Sequence, residues 1–389
     1  MRKMMKKTVA VCMAAMMAVS MAACGGTANS GGEDNSGTFI IGGMGPTSGA
    51  NASYGTSVKN GAQIAVDEIN EAGGINGTKF TLLFEDDQAD AQVAANAYNK
   101  LYSDNMDALL GATTSNACQA VNKTAQKDNL LMVTPSGSAK DITDPDNVFR
   151  ICFTDPLQGR KIADLVGDTL GYKKVAVLYD ISSDYGVGIH DAFVEQAEAK
   201  GFTVVADQSF NSGDKDFKTQ LTTIKNANPD VIFVPGYYQE ASFILTQAKQ
   251  LGIDTPFVGS DGWDGVTTQL GSNASIADGA VFLSPFFSAD TAENVQNFVS
   301  KYEEKYGATP DQFAADAYDG AYAIAKAYEK AGTKDSDALI KAMKEIEVDG
   351  ITGKFSFDES GEPNKDAKYI EIKDGAYSLF DATATTTEE

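Results

Sequence analysis

Residues 109–139, LLGATTSNACQAVNKTAQKDNLLMVTPSGSA, leave the chain few ways to fold. Their pattern predicts a buried strand ending at Gly111, a polar turn over 112–115, a helix over 116–127, and a second strand over 130–134 that opens into Pro135, Ser136, Gly137 and Ser138. Two strands joined through a helix lie parallel, and parallel strands belong inside a sheet covered by helices. In such a sheet ligands sit beyond the carboxyl ends of the strands. This stretch puts Thr114, Ser115, Ser136 and Ser138 there, beside the free amides of a helix N-terminus. That combination suits a small anionic group such as a carboxylate. Ser115 as an N-cap and 136–138 as a plain turn fit the same letters.

The alternation continues on either side. Strands are predicted over 38–44, 79–85 and 147–153, with helices over 55–72 and 89–103. It restarts at Thr154, Asp155 and Pro156, where the chain crosses into a second unit. Helices over 156–170, 185–200, 216–227 and 241–251 separate strands over 174–179, 202–207, 230–234 and 256–259, and a last strand covers 279–283. Two successive halves of one pattern imply two similar domains rather than one wide sheet. Three helical patterns follow over 292–306, 311–330 and 335–346, and strand character returns only over 353–357 and 368–372. Helices without strands need a sheet to cover. The expected fold is therefore α/β: two doubly wound, Rossmann-like domains, 38–155 with 286–350 and 156–285 with 351–381. Three crossover strands join them around a ligand cleft.

Composition narrows function by exclusion. A hydrophobic content of 43% with 22% charged residues is that of a globular chain. The formal net charge is −23, and the leading segment holds Arg2, Lys3, Lys6 and Lys7 without an acidic residue, so the remainder is more negative still. Such a body argues against nucleic acid and anionic lipid as direct partners. The one histidine, His190, has no cysteine or second histidine nearby, which leaves no metal-ligand set of the usual spacing and no Ser-His-Asp arrangement. No metal, cofactor or catalysis by the common routes is expected. Gly42-Gly43-Met44-Gly45-Pro46 fails as a dinucleotide fingerprint, because the proline blocks the helix start that would cradle a pyrophosphate. Cys118 and Cys152 are expected to stay unpaired.

The N-terminus reads as a targeting signal. Residues 2–7 are basic, 8–20 are apolar but too short to span a bilayer, and Met21, Ala22 and Ala23 precede Cys24. This resembles the bacterial lipoprotein signal, in which Cys24 becomes the lipidated N-terminus of the exported protein, tethered to the outer face of a membrane. On that reading 1–23 is signal peptide, 24–37 a flexible tether of Gly, Ser and Asn, and 382–389 a loose tail.

Several segments together resemble the Leu/Ile/Val-binding family of ABC-importer receptors, built on the type I periplasmic-binding-protein fold. They are Gly45-Pro46-Thr47-Ser48-Gly49 with Tyr54-Gly55, GAQIAVDEINEAGGING over 61–77, FEDDQAD over 84–90, MVTPSGSA over 132–139, YDISSDYGVG over 179–188, FNSGDKDF over 210–217, PGYYQEASFILTQAKQLG over 235–252 and FVGSDGW over 257–263. The match runs in order over nearly all of the chain after Cys24. It implies a free amino acid, branched-chain aliphatic above all, held between the domains by hinge closure and delivered to an ABC permease by a monomeric receptor. Ser115 and Ser138 would give hydroxyls to the ligand carboxylate, with a backbone donor at Tyr185. The Ser136 carbonyl and Asp261 would take the ammonium, and Tyr54, Tyr237 and Trp263 would line the cleft. Ala112, Thr113 and Thr114 depart from the apolar floor usual under an aliphatic side chain. A sensory receptor of the same fold, or a receptor for a short amide or aromatic acid, is the alternative.

Overall fold

The run Phe39 to Met44 is buried on both faces, as a central parallel strand must be. It forms most of β1 (Thr38–Gly45) in the computed structural model, which describes residues 37–381. The predicted signal peptide, Cys24 and all but the last residue of the tether lie outside those residues, as does the tail at 382–389. β1 pairs with β2 (Lys79–Asp86) and β3 (Ala108–Leu110), while β4 (Met132–Thr134) and β5 (Val148–Arg150) extend the sheet. All are parallel, in the order β2-β1-β3-β4-β5. Helices α1 (Ala52–Glu71), α2 (Ala91–Ser103) and α3 (Ser115–Lys127) make the crossovers. Asp90 starts α2 by accepting from the amides of Gln92 and Val93, both at 2.9 Å.

The plan is then repeated. β6 (Lys174–Asp180), β7 (Thr203–Phe210), β8 (Val231–Val234), β9 (Phe257–Gly259) and β10 (Val281–Ser284) form a second parallel sheet in the order β7-β6-β8-β9-β10. Counted from its own first strand, that is the order of the first sheet. α4 (Asp155–Asp164), α5 (Asp184–Gln196), α6 (Lys218–Ala227), α7 (Tyr238–Gln250) and the short α8 (Val266–Leu270) accompany these strands. Each sheet therefore has a switch point between its first and third strands, where the crossovers leave in opposite directions and a crevice opens at the carboxyl ends.

The chain returns to the first sheet with α9 (Glu293–Tyr306), α10 (Gln312–Ala331) and α11 (Ser336–Met343). α10 lies directly on α1. A Cβ at Gly61 would fall 1.9 Å from the carbonyl oxygen of Ala314, so glycine is what permits the approach. Val58, Val66 and Ile69 of α1 are buried in the shared core, each contributing about 1.5–3 kcal/mol relative to exposure. The two helices and the first sheet form one lobe; the second sheet and its helices form the other.

The hand-over between lobes near the C-terminus falls later than expected. β11 (Glu347–Gly350) and β12 (Gly353–Ser356) pair as an antiparallel hairpin of their own. Phe357, just beyond it, stacks edge-on against Phe149 of the first lobe at 5.3 Å. The amides of Ile351 and Thr352 donate to the buried Asp319 of α10 at 2.9 and 3.0 Å, and Arg150 N donates to Gly361 O at 3.1 Å. Residues 351–364 thus cover the first lobe, because their aromatic rings and backbone amides find partners there. Only β13 (Lys368–Lys373), antiparallel to β10, and β14 (Ala376–Leu379) join the second sheet. Cys118 and Cys152 are both free and buried. Among the described residues no helix is long and apolar enough to cross a membrane.

Candidate ligand cleft

The carboxyl ends of β3 and β4 face those of β8 and β9 across a small cavity of about 10 Å³. It is lined by Tyr54, Thr113, Thr114, Ser115, Ser136, Ser138 and Phe313 from the first lobe and by Tyr185, Tyr237, Asp261 and Gly262 from the second. Eight of the nine residues singled out in the sequence as ligand contacts therefore converge. The space holds about one water.

The first-lobe wall is neutral. Ser115 is the first residue of α3, and its Oγ accepts from the amides of Ser138 and Ala139 at 3.2 and 3.1 Å. Both lone pairs are thereby engaged, which leaves the hydroxyl proton free to be donated. The Ser136 hydroxyl donates to Thr113 O at 2.7 Å and ties the two strand ends together. Arg150, fully buried, holds the same loop from behind: its guanidinium donates to Gly137 O at 2.7 Å and Ala139 O at 2.9 Å and is paired with Glu362. The Thr114 hydroxyl is buried without a partner.

The second-lobe wall is acidic and phenolic. Asp261 begins a helical turn after β9 and is 3% exposed. The Tyr185 hydroxyl, 2.5 Å from Asp261 Oδ1, donates to it, accepts from Gly262 N at 2.9 Å and lies 2.7 Å from Ser260 Oγ. A Cβ at position 262 would meet that same hydroxyl at 2.8 Å, so the glycine is what lets the backbone come this close. Burial pushes the Asp261 carboxyl up to about 6, against the Tyr185 and Gln158 hydrogen bonds that lower it. Tyr185 also stacks on Tyr237 at 4.9 Å. As the second residue of α5, it carries one of the first-turn amides that no helical carbonyl accepts.

Direct bonds already cross between the lobes. The Tyr54 hydroxyl donates to Gly262 O at 2.5 Å and accepts from Tyr238 N at 3.2 Å. The side-chain amide of Gln312 donates to Asp261 O at 2.6 Å.

Trp263 departs from expectation. It is fully buried, packs against Gly259 and donates its indole N–H to Val234 O at 2.8 Å, so it belongs to the second-lobe core and does not line the cavity. Thr113, read from the sequence as part of the floor under the ligand side chain, does line the cavity; sequence reading missed Gly262 and Phe313 on its wall, and Asp155 and Gln158 behind it. Asp155 is 1% exposed, and neither of its carboxylate oxygens has a partner; the Gln158 amide nitrogen is likewise buried and unpaired. Burial raises the Asp155 carboxyl well above the usual range, with nearby Asp261 adding to the shift. A carboxylate placed just where the chain crosses between lobes was the available signal. Among the described residues no group of three or more His, Cys, Asp or Glu is arranged to hold a metal.

Two similar lobes, each with its switch point turned toward a shared polar cavity, define a two-lobed binding protein of the type I periplasmic fold. The chain belongs to the periplasmic binding protein family, whose match extends over residues 38–376. It is 30% identical over 352 residues, 86% of this chain and 92% of the relative, to the leucine-, isoleucine-, valine-, threonine- and alanine-binding protein of Pseudomonas aeruginosa. Among solved structures it resembles the branched-chain amino acid transporter substrate binding protein LivJ from Streptococcus pneumoniae in complex with isoleucine, at 34% identity and a TM-score of 0.82, covering 88% of this chain and 98% of that one. A solute binding protein of an ABC transporter from R. palustris in complex with benzoate shares the fold, at 23% identity and a TM-score of 0.81, over 88% of this chain and 96% of its own.

Proposed function

We propose that the protein captures a free amino acid, branched-chain aliphatic in the first place, and delivers it to an ABC permease. The observation that carries this reading is the opposition of unlike walls. On one side the Ser115 hydroxyl has both lone pairs taken by peptide amides and only its proton to offer. On the other a buried carboxylate, Asp261, has no cationic side chain bonded to it among the described residues. A zwitterion answers both. Its carboxylate accepts from Ser115, Ser138 and the Tyr185 amide, charge-assisted bonds roughly twice as strong as neutral ones. Its ammonium lies between the Ser136 carbonyl and Asp261, with the unpaired Asp155 behind them. Tyr54, Tyr237, Phe313 and the methyl groups of Thr113 and Thr114 enclose the side chain.

The ligand docks first on the serine wall, and the second lobe then folds over it, carrying Tyr185, Tyr237 and Asp261. No covalent bond changes. The names of the relatives, all solute-binding proteins, support a role in transport, and family membership supports export. Lipidation at Cys24 followed by a flexible tether would hold a monomeric receptor near its permease, at high local concentration. An aromatic acid would satisfy the serine wall but leave Asp261 and Asp155 without a cation, which disfavours that reading.

The test is a thermal-shift screen of the chain after Cys24 against the common amino acids and benzoate. A ligand that binds only the folded state raises the melting temperature. Leucine, isoleucine or valine should raise it most; stabilisation by benzoate alone would replace the amino acid reading.

A further inference from the structure

On the far side of Tyr54 the lobes meet again, along a groove of about 620 Å³ whose walls include Ser57, Asp264, Tyr302, Asp311 and Tyr377. Two carboxylates from opposite lobes converge there on the N-terminus of α10. Asp311 is the N-cap of that helix, accepting from Ala314 N at 3.0 Å through Oδ1 and from the Ser57 hydroxyl at 2.6 Å through Oδ2. Asp264, in the loop after β9 of the second lobe, accepts from Gln312 N at 3.0 Å. One helix end thus receives an acid from its own lobe and a second from across the cleft. A helix N-terminus stabilises one negative charge well; a second beside it, with Asp264 buried and Asp311 half-buried, repels the first.

We propose that shutting the lobes is proton-linked: closure carries Asp264 onto the helix end that Asp311 already caps, and the shut form holds the pair with one proton between them. This rests on the hinge-closure reading above. Every element packed around the pair contributes neutral groups: Ser57 from α1, Tyr302 and Tyr306 from α9, Gln312 from α10, Tyr238 from α7, Thr267 from α8 and Tyr377 from β14. Neither carboxylate forms an ion pair with lysine or arginine among the described residues. Burial first, and then repulsion from Asp311, lift the Asp264 carboxyl to about 8; burial lifts Asp311 to about 6. Parted from α10, Asp264 returns toward the ordinary carboxylate range. The sign follows. The shut form binds more protons than the open form between those limits, so closure is favoured as pH falls toward 6 and disfavoured as it rises toward 8. Burial lifts Asp261 and Asp155 in the shut form as well, so without ligand their proton uptake adds to the same sense, while a bound ammonium would reverse it; the comparison with Asp264→Asn isolates the part that belongs to Asp264.

A ligand-free measurement separates this linkage from the identity of the ligand. Small-angle scattering of the chain after Cys24, without ligand, should give a radius of gyration that falls between about pH 8 and pH 6. Asp264→Asn keeps the acceptor for Gln312 but cannot ionise, and it should be compact at pH 8 and respond less to pH over the same range than the unaltered chain. Asp311→Asn, which retains the cap, should shift the transition to lower pH. With leucine as the probe, Asp264→Asn should bind more tightly than the unaltered chain, by a factor that grows with pH at up to about tenfold per unit. Scattering curves that superimpose at both pH values, or that shift equally in Asp264→Asn, overturn the proposal. If the scattering shift is present but leucine does not bind, the linkage stands and the amino acid reading fails.

Discussion

The two walls of the cleft are built from the same topological position and present opposite chemistry. The ends of β3 and β4 offer hydroxyls and peptide groups, whereas the ends of β6, β8 and β9 offer a carboxylate and phenols. Each set is fixed differently. The serine wall is locked within its own lobe by Arg150 and by amide-to-hydroxyl bonds. The aspartate wall is a side-chain cluster around the Tyr185 hydroxyl, with bonds that reach the first lobe through Gln312. On the proposed reading, the preformed neutral half would receive a ligand first, and the charged half would be added on closure, where lower exposure to water would strengthen its carboxylate's attraction for a cation.

The comparison can be broken by measuring each wall against half-ligands. Asp261→Ala should weaken leucine binding by about 2–5 kcal/mol, the range for removing one side of a buried charged pair, while leaving 4-methylpentanoate, which lacks the ammonium, almost unaffected in calorimetry. Equal losses for both compounds would end the assignment of the amine to this wall. Ser115→Ala should cost about 1.5–3 kcal/mol, as for a hydrogen bond to a charged group, and the loss should be the same for leucine and 4-methylpentanoate. Tyr185→Phe removes the donor to Asp261 and should cost about 0.5–1.5 kcal/mol for leucine; an effect as large as that of Asp261→Ala would move the phenol itself into contact with the ligand. The smallest effect on binding is expected at Trp263. Trp263→Phe strands the Val234 carbonyl and should lower folding stability by about 1–3 kcal/mol in thermal denaturation, with leucine affinity changed by less than about twofold on the additivity of distant sites.

The strand and helix alternation was legible because buried parallel strands such as 231–234 and amphipathic helices such as 312–331 carry their periods in the sequence. So were the strand ends bearing Ser115, Ser136 and Asp261, since a doubly wound sheet fixes where ligands gather. What stayed hidden depends on the packing of distant segments. Trp263 follows Asp261 by two residues and looked like cleft, yet the turn it sits in rotates its ring under β9. Phe313 reads as ordinary core of α10 until that helix end is seen to abut Tyr54, with ring centroids 4.0 Å apart. The return of 351–364 to the first lobe was settled by Asp319 and Phe149, which no local pattern announces.

Tyr54 and Gln312 each bond across from one lobe to the other beside a cavity with room for about one water. On the proposed reading, the dwell time of a captured molecule would be set by how long those cross-lobe bonds last, and whatever unloads the protein would have to break them.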